Sequence, residues 1–153
     1  MGASNYSIGD VLPHGPSMIL LDEIVDYGDT NIVLSLRVRR QSSFFRAGVG
    51  IPVHIAIEWM AQACGAYAGI MARNAGNKPV IGYILGTRRF VGTQPYFAEG
   101  ETAFVFAERL HLDSEMAVFD CRVEVDREVR ATAQLTVFQP QDNVASPAGE
   151  VRE

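Results

Sequence analysis

The 153-residue sequence predicts an α+β fold in which a strongly curved antiparallel sheet wraps round one long central helix. Three observations carry that prediction. Residues 52–74 form a long stretch that is apolar nearly all round, which marks a buried helix rather than a surface one. Residues 101–138 hold three consecutive segments with period-two alternation and short connections, the pattern of an antiparallel meander. Two further strand-like segments precede the helix and one follows it, so a single helix has a whole sheet to cover it.

The elements follow in order. Residues 1–6 read as a loose terminus, and residues 7–11 as a helical turn ended by Leu12-Pro13-His14-Gly15-Pro16, because two prolines and a glycine cannot continue a helix. The apolar run 18–25 reads as a strand. Tyr27-Gly28-Asp29-Thr30 is a turn, and Ile32, Leu34, Leu36 and Val38 then alternate as the inward side of a second strand. The loop 42–50 holds Phe44, Phe45, Gly48 and Gly50 and leads to Pro52, a residue suited to a first helical turn. Ala61, Gly65, Ala68 and Gly69 make one helix flank small enough for another backbone to approach. Arg73 and Gly76-Asn77 suit the helix end. Segment 80–91 is interrupted by Gly82 and Gly86, which predict a bulge or a close approach. Ala117, Phe119, Cys121, Val123 and Val125 share one parity, as do Val129, Ala131, Ala133, Leu135 and Val137. From Pro140 onward the composition turns to Pro, Gln, Asp, Ser and Gly. Residues 1–140 therefore read as one domain and 141–153 as a flexible tail.

Composition narrows the function classes. At 48% hydrophobic and 20% charged the chain is ordinary for a globular protein with its own core. A net charge of −5 without a basic run argues against a nucleic-acid partner. Cys64 and Cys121 are too few for a disulfide framework or a metal site and read as buried small hydrophobes. The first ten residues show no positive-then-apolar signal, so the expected location is cytoplasmic. The central segment is long enough to cross a bilayer, but Pro52 opens it and His54 and Glu58 lie inside it, which disfavours a membrane span.

Between Ile51 and Ala72 the strongly polar side chains are His54, Glu58 and Gln62, four residues apart, so they are expected on successive turns of one helix face. A carboxylate on such a helix is costly unless paired or used. One reading gives Glu58 a backbone or arginine partner and a structural role; the other makes it catalytic. His54 next to Glu58 is a candidate acid/base couple near neutral pH, or a helix-start histidine bonded to a loop carbonyl. His14 lies in a Pro/Gly turn, and His111 near a strand end beside Asp113 reads as surface. Arg88 and Arg89 continue a strand, facing solvent or an acidic partner.

The order of elements, the opening Leu12-Pro13-His14, and Pro52 followed six residues later by Glu58 resemble the hot dog fold. More closely they resemble its 3-hydroxyacyl-(acyl-carrier-protein) dehydratases. Glu58-Trp59-Met60-Ala61-Gln62 is similar to the family's Glu-Ala-Met-Ala-Gln helix, and Gly100-Glu101 to its Pro-Gly-Asp. The branch associated with aryl polyene clusters is closer still, through Phe44-Phe45, Gly50-Ile51-Pro52, Leu85-Gly86-Thr87-Arg88-Arg89, Phe119-Asp120-Cys121 and Val137-Phe138-Gln139-Pro140. The resemblance spans roughly residues 9–140 and implies dehydration of a 3-hydroxyacyl thioester without metal or organic cofactor. It implies a histidine that removes the C2 proton and an acid, matched by Glu58, that serves the departing hydroxyl. It also implies helix N-terminal amides that polarise the thioester carbonyl. The sequence departs from the family twice. Its His-Phe-Pro-Gly motif is missing, with Phe44 at the histidine's place, and Val53 replaces the glycine after the helix proline.

His54 is accordingly the expected base and Glu58 the expected acid, with Val53, Gln62 and His14 assigned to substrate binding. The implied partners are an acyl carrier protein bearing the acyl-pantetheine substrate, and a second hot dog chain that completes a homodimer or heterodimer. Two alternatives remain open at this point: a hot dog acyl thioesterase that uses the lone carboxylate, and a non-catalytic subunit paired with an active dehydratase.

Overall fold

The computed structural model describes residues 2–3, 6–12, 15, 18–79 and 82–138. His14, the prolines beside it and the tail 141–153 lie outside these residues, so the expectations for them carry no structural counterpart. Seven strands form one antiparallel sheet in the order β1-β2-β3-β7-β8-β9-β5: β1 (Gly2–Ala3), β2 (Glu23–Tyr27), β3 (Asn31–Arg37), β5 (Tyr83–Gly92), β7 (Thr102–Asp113), β8 (Met116–Val125) and β9 (Glu128–Phe138). A separate two-stranded ribbon pairs β4 (Ile51–Pro52) with β6 (Tyr96–Phe97). Helix α1 (Ile8–Val11) is one turn, and helix α2 (Ala56–Asn74) is the central one.

The meander stands where the alternation puts it. Ala117, Phe119, Cys121, Val123 and Val125 all face the core, as do Ala131, Ala133, Leu135 and Val137 across from them. Strand β3 contributes Ile32, Leu34 and Leu36, and β7 contributes Ala103, Val105 and Ala107. Against this concave surface α2 sets Trp59, Met60, Ala63, Ala66, Tyr67 and Ile70, all nearly solvent-free. The cysteines are the small core residues expected, Sγ to Sγ at 3.8 Å across the helix–sheet junction, and burial pushes the Cys64 thiol up.

Three expectations need correction. The run 18–25 is not all strand: β2 begins only at Glu23, because the backbone at Met18 and Leu20 bonds to the Gln62 side chain instead of a neighbouring strand. Pro52 does not open the helix. It is extended (ψ 141°) within β4, and a 3-10 turn, Val53–Ile55, intervenes before α2. Val129 is exposed where alternation places it inside, because the β8–β9 register skips Arg130 and turns that residue inward instead.

The helix end follows its signals. Gly76 adopts φ +83°, and the Asn77 amide reaches back to the Ala72 carbonyl at 2.8 Å, a Schellman closure. In β5 the register shifts at Gly86, as the glycine predicts, and again between Arg88 and Val91, where Arg89 has φ +54°. The small flank of α2 meets α1 and the residue after it: a Cβ on Gly69 would overlap the Val11 carbonyl, and one on Gly65 would press on Leu12 Cδ2. Helix α2 packs chiefly on β3 and β7 and less on β5. Ile84, Leu85 and Val91 of β5 therefore remain exposed at the sheet edge.

Candidate active site

The site is built where the loop after β3 delivers the chain to the central helix. The loop's turns close through Ser42 to Arg39, Phe45 to Ser42 and a reciprocal Arg46–Gly50 pair. Gly50, at φ +118°, passes so close under the Phe97 carbonyl that any Cβ would collide with it. Ile51 and Pro52 then pair with Phe97 and Tyr96, and the Val53 amide donates to the Pro95 carbonyl at 2.8 Å. Within six residues the chain is thus held by β6 and the turn before it, and it emerges as the 3-10 turn that carries His54.

His54 and Glu58 lie on successive turns and both are exposed, without an ion pair or hydrogen bond to each other among the described residues. They head a stripe continued by half-buried Ile57, Ala61, Ala68 and Ala72, a face of α2 that the described residues leave partly uncovered. The helix is therefore not buried all round. Glu58 is exposed and has no ion pair or side-chain hydrogen bond among the described residues.

Gln62 does not share that face. Eight residues on from His54, an α-helix has rotated about 80° past whole turns, and Gln62 is buried. Its carbonyl accepts from the Leu20 amide at 2.8 Å and its amide donates to the Met18 carbonyl at 2.7 Å. Both ends are used, so the expected substrate contact is corrected to a clamp on the segment before β2. Val53 is half-buried, with its side chain against Gly92 of β5 and its N–H already given to Pro95. His111 is exposed on β7, and Arg88 and Arg89 are exposed on β5.

At the place of the missing loop histidine, Phe44 takes φ +69° and is 55% exposed, while Phe45 packs on the core. The adjacent aromatics thus divide, one anchoring the loop and the other presented outward. A cavity of about 320 Å³ is lined by Ile19, Leu36, Ile51 and Trp59 together with Arg37, Arg39 and Ser42.

Sequence reasoning missed one set of residues here. Arg130 is 6% exposed. Its guanidinium reaches Glu101 at 3.2 Å, donates to the Tyr96 carbonyl at 2.8 Å and lies 4.9 Å from the Phe97 ring centre. Phe97 in turn meets Trp59, the neighbour of Glu58, at 4.7 Å between ring centres. An arginine in an otherwise alternating strand was the available signal, and only the bulge reveals which way it points.

Known proteins resemble this chain in sequence and fold. The 3-hydroxyacyl-[acyl-carrier-protein] dehydratase FabZ of Acinetobacter baylyi is 26% identical over 134 residues, 85% of this chain and 90% of that protein. The dehydratase heterocomplex ApeI:P from Xenorhabdus doucetiae contains a chain that superposes with a TM-score of 0.85 at 26% identity, covering 92% of this chain and 95% of that one. A hypothetical thioesterase from Streptococcus pneumoniae, solved with coenzyme A, matches at a TM-score of 0.61 and 14% identity over 76% of this chain and 83% of its own, which shows the shared hot dog fold alone. The family model ApeP-like, described as ApeP dehydratase, matches residues 6–147; the chain belongs to this family of hot dog dehydratases.

Proposed function

We propose that the protein removes water from 3-hydroxyacyl thioesters carried on acyl carrier protein, in fatty acid or polyene biosynthesis, as a single domain of residues 1–140 working in the cytoplasm. The observation that carries the reading is Glu58: an exposed carboxylate on the open face of α2, without a partner among the described residues, in a chain of dehydratase family. In the reaction a base takes the C2 proton and the electron pair forms the C2–C3 double bond. The C3–O bond breaks as Glu58 gives its proton to the hydroxyl, which leaves as water. His54, one turn before Glu58, is the base that this chain itself offers. With the Val53 amide occupied by Pro95, polarisation of the thioester carbonyl falls to the positive end of the helix at His54.

Both groups open to water in the single chain, whereas acid/base chemistry of this kind gains from a covered site. A second hot dog chain on the exposed stripe supplies the cover, either another copy or a paralogue, and ApeI:P is itself a heterocomplex. Exposed Arg88 and Arg89 suit an acidic carrier protein. One observation favours a second arrangement, in which the partner contributes the base: His54 stands beside Glu58 rather than across the substrate from it, and Phe44 holds the loop position.

Mass spectrometry of 3-hydroxyacyl-carrier protein incubated with the protein alone, and with a histidine-bearing hot dog dehydratase, tests this. Loss of one water without release of free acid is the expected result. Loss by the protein alone assigns the base to this chain. Loss only in the mixture, abolished by Glu58→Gln, assigns it to the partner. Release of free hydroxy acid would make the protein a thioesterase and overturn the proposal, as would a mixture indifferent to Glu58.

A further inference from the structure

We infer that Arg130 is a positioning residue for the dehydration: through Tyr96 and Phe97 it sets the place where the central helix begins, and so where Glu58 and His54 stand. The inference rests on the catalytic reading above. Its geometry is independent of that reading.

Arg130 belongs to β9, far in sequence from the helix, and faces inward only because it is the extra residue of the β8–β9 bulge, between Ala131 opposite Val123 and Val129 opposite Glu124. It is the one charged residue that is fully buried among the described residues. A buried guanidinium is tolerated only when its donors and charge are met. Two groups meet them here, both in the segment between β5 and β7: the Glu101 carboxylate at 3.2 Å and the Tyr96 carbonyl at 2.8 Å. The other Glu101 oxygen accepts the Ala98 amide at 2.8 Å, which closes the turn after β6. The Arg130 carbonyl accepts the Thr93 amide at 3.0 Å, so the same residue holds both ends of the segment 93–101.

That segment is the template for the helix entry. Phe97 pairs with Ile51, Tyr96 with Pro52, and the Pro95 carbonyl takes the Val53 amide. The Phe97 ring, stacked under the guanidinium on one side, meets Trp59 on the other. Two routes thus lead from Arg130 to the catalytic turn: through the backbone from Tyr96 to Val53 and His54, and through the rings from Phe97 to Trp59 beside Glu58. The planar fork matters, because lysine keeps the charge but cannot serve the carboxylate and the carbonyl at the same spacing.

Arg130→Met and Arg130→Lys, in the full chain within its active assembly, test the inference. Trp59 is the only tryptophan of this chain, so near-UV circular dichroism and fluorescence of the chain by itself report directly on the helix entry. The expected result for Arg130→Met, at a temperature where far-UV circular dichroism shows a folded protein, is an altered Trp59 signal. With it comes a fall in kcat of about 10²-fold, the scale of a misplacement near 1 Å, and KM within a few-fold. Arg130→Lys should restore part of both. A lowered melting temperature with kcat within twofold shows that Arg130 is structural only, and overturns the inference. So does an unchanged Trp59 signal, whatever the activity. Should Arg130→Met fail to fold, Glu101→Gln, which weakens one contact and leaves the Tyr96 bond, is expected to lower kcat several-fold with the same Trp59 change; a parental kcat there overturns the inference equally. If the parent assembly releases no water, the catalytic reading is what fails, and the Trp59 signal still decides whether Arg130 sets the helix entry.

Discussion

At the scale of single residues, the meaning of a polar side chain here depends on which way one helix turn points it. Glu58 and Gln62 are four apart, yet one is exposed and without a partner among the described residues while the other is buried with both ends bonded to backbone. Substituting them should therefore have opposite signatures. Glu58→Gln is near-isosteric, removes no contact within the chain, and is expected to change stability by less than about 0.5 kcal/mol. It cannot exchange a proton, so turnover should fall by about 10²–10⁴-fold; steady-state kinetics beside a denaturant melt check both halves, and near-parental turnover would show that Glu58 is not the acid. His54→Ala is expected to lose turnover on the same scale if this chain supplies the base, whereas His14→Ala should leave at least a tenth of it. Assayed side by side, retention in His54→Ala and loss in His14→Ala would exchange the two roles.

At the scale of elements, α2 shows how glycine and the sheet together divide a helix surface. Gly69 lies under α1 and Gly65 against Leu12 just after it, while Ala61 and Ala68 lie toward the open stripe. In an isolated helix Gly→Ala gains about 1 kcal/mol. At Gly69 the new methyl meets the Val11 carbonyl oxygen, a backbone atom that cannot move without shifting α1. Overpacking of this kind typically costs about 1–3 kcal/mol, so Gly69→Ala is expected to lower the urea midpoint despite the better propensity. A midpoint at or above the parent's would show that α1 docks loosely.

At the scale of the whole molecule, the sheet is longer than the helix can cover. The open stripe of α2 and Ile84, Leu85 and Val91 on edge strand β5 are both exposed in the single chain. A second hot dog chain is the cover proposed for them, as the related dehydratase ApeI:P is a heterocomplex. The protein is expected to run as a species of at least two chains in light scattering at micromolar concentration. Leu85→Lys places a charge on the edge and blocks strand pairing, so the same measurement should show the single chain, with dehydration lost alongside. A parent that scatters as a monomer, alone and with its dehydratase partner, would remove the basis for a shared site.

Much of this molecule was legible in sequence because local periodicity is itself a physical cause. Alternation at 116–125 and 128–138 and the largely apolar run after Pro52 dictate strands and a core helix. Glu58, the proposed acid, was visible too, as the one carboxylate such a helix carries. What tertiary structure alone decided concerns direction. The open face of α2 exists because the sheet packs it from β3 and β7, and a four-residue spacing cannot say that Glu58 falls outside that contact and Gln62 within it. Arg130 turns inward through a bulge, a one-residue slip set by the pairing of two strands and not by either strand's own pattern.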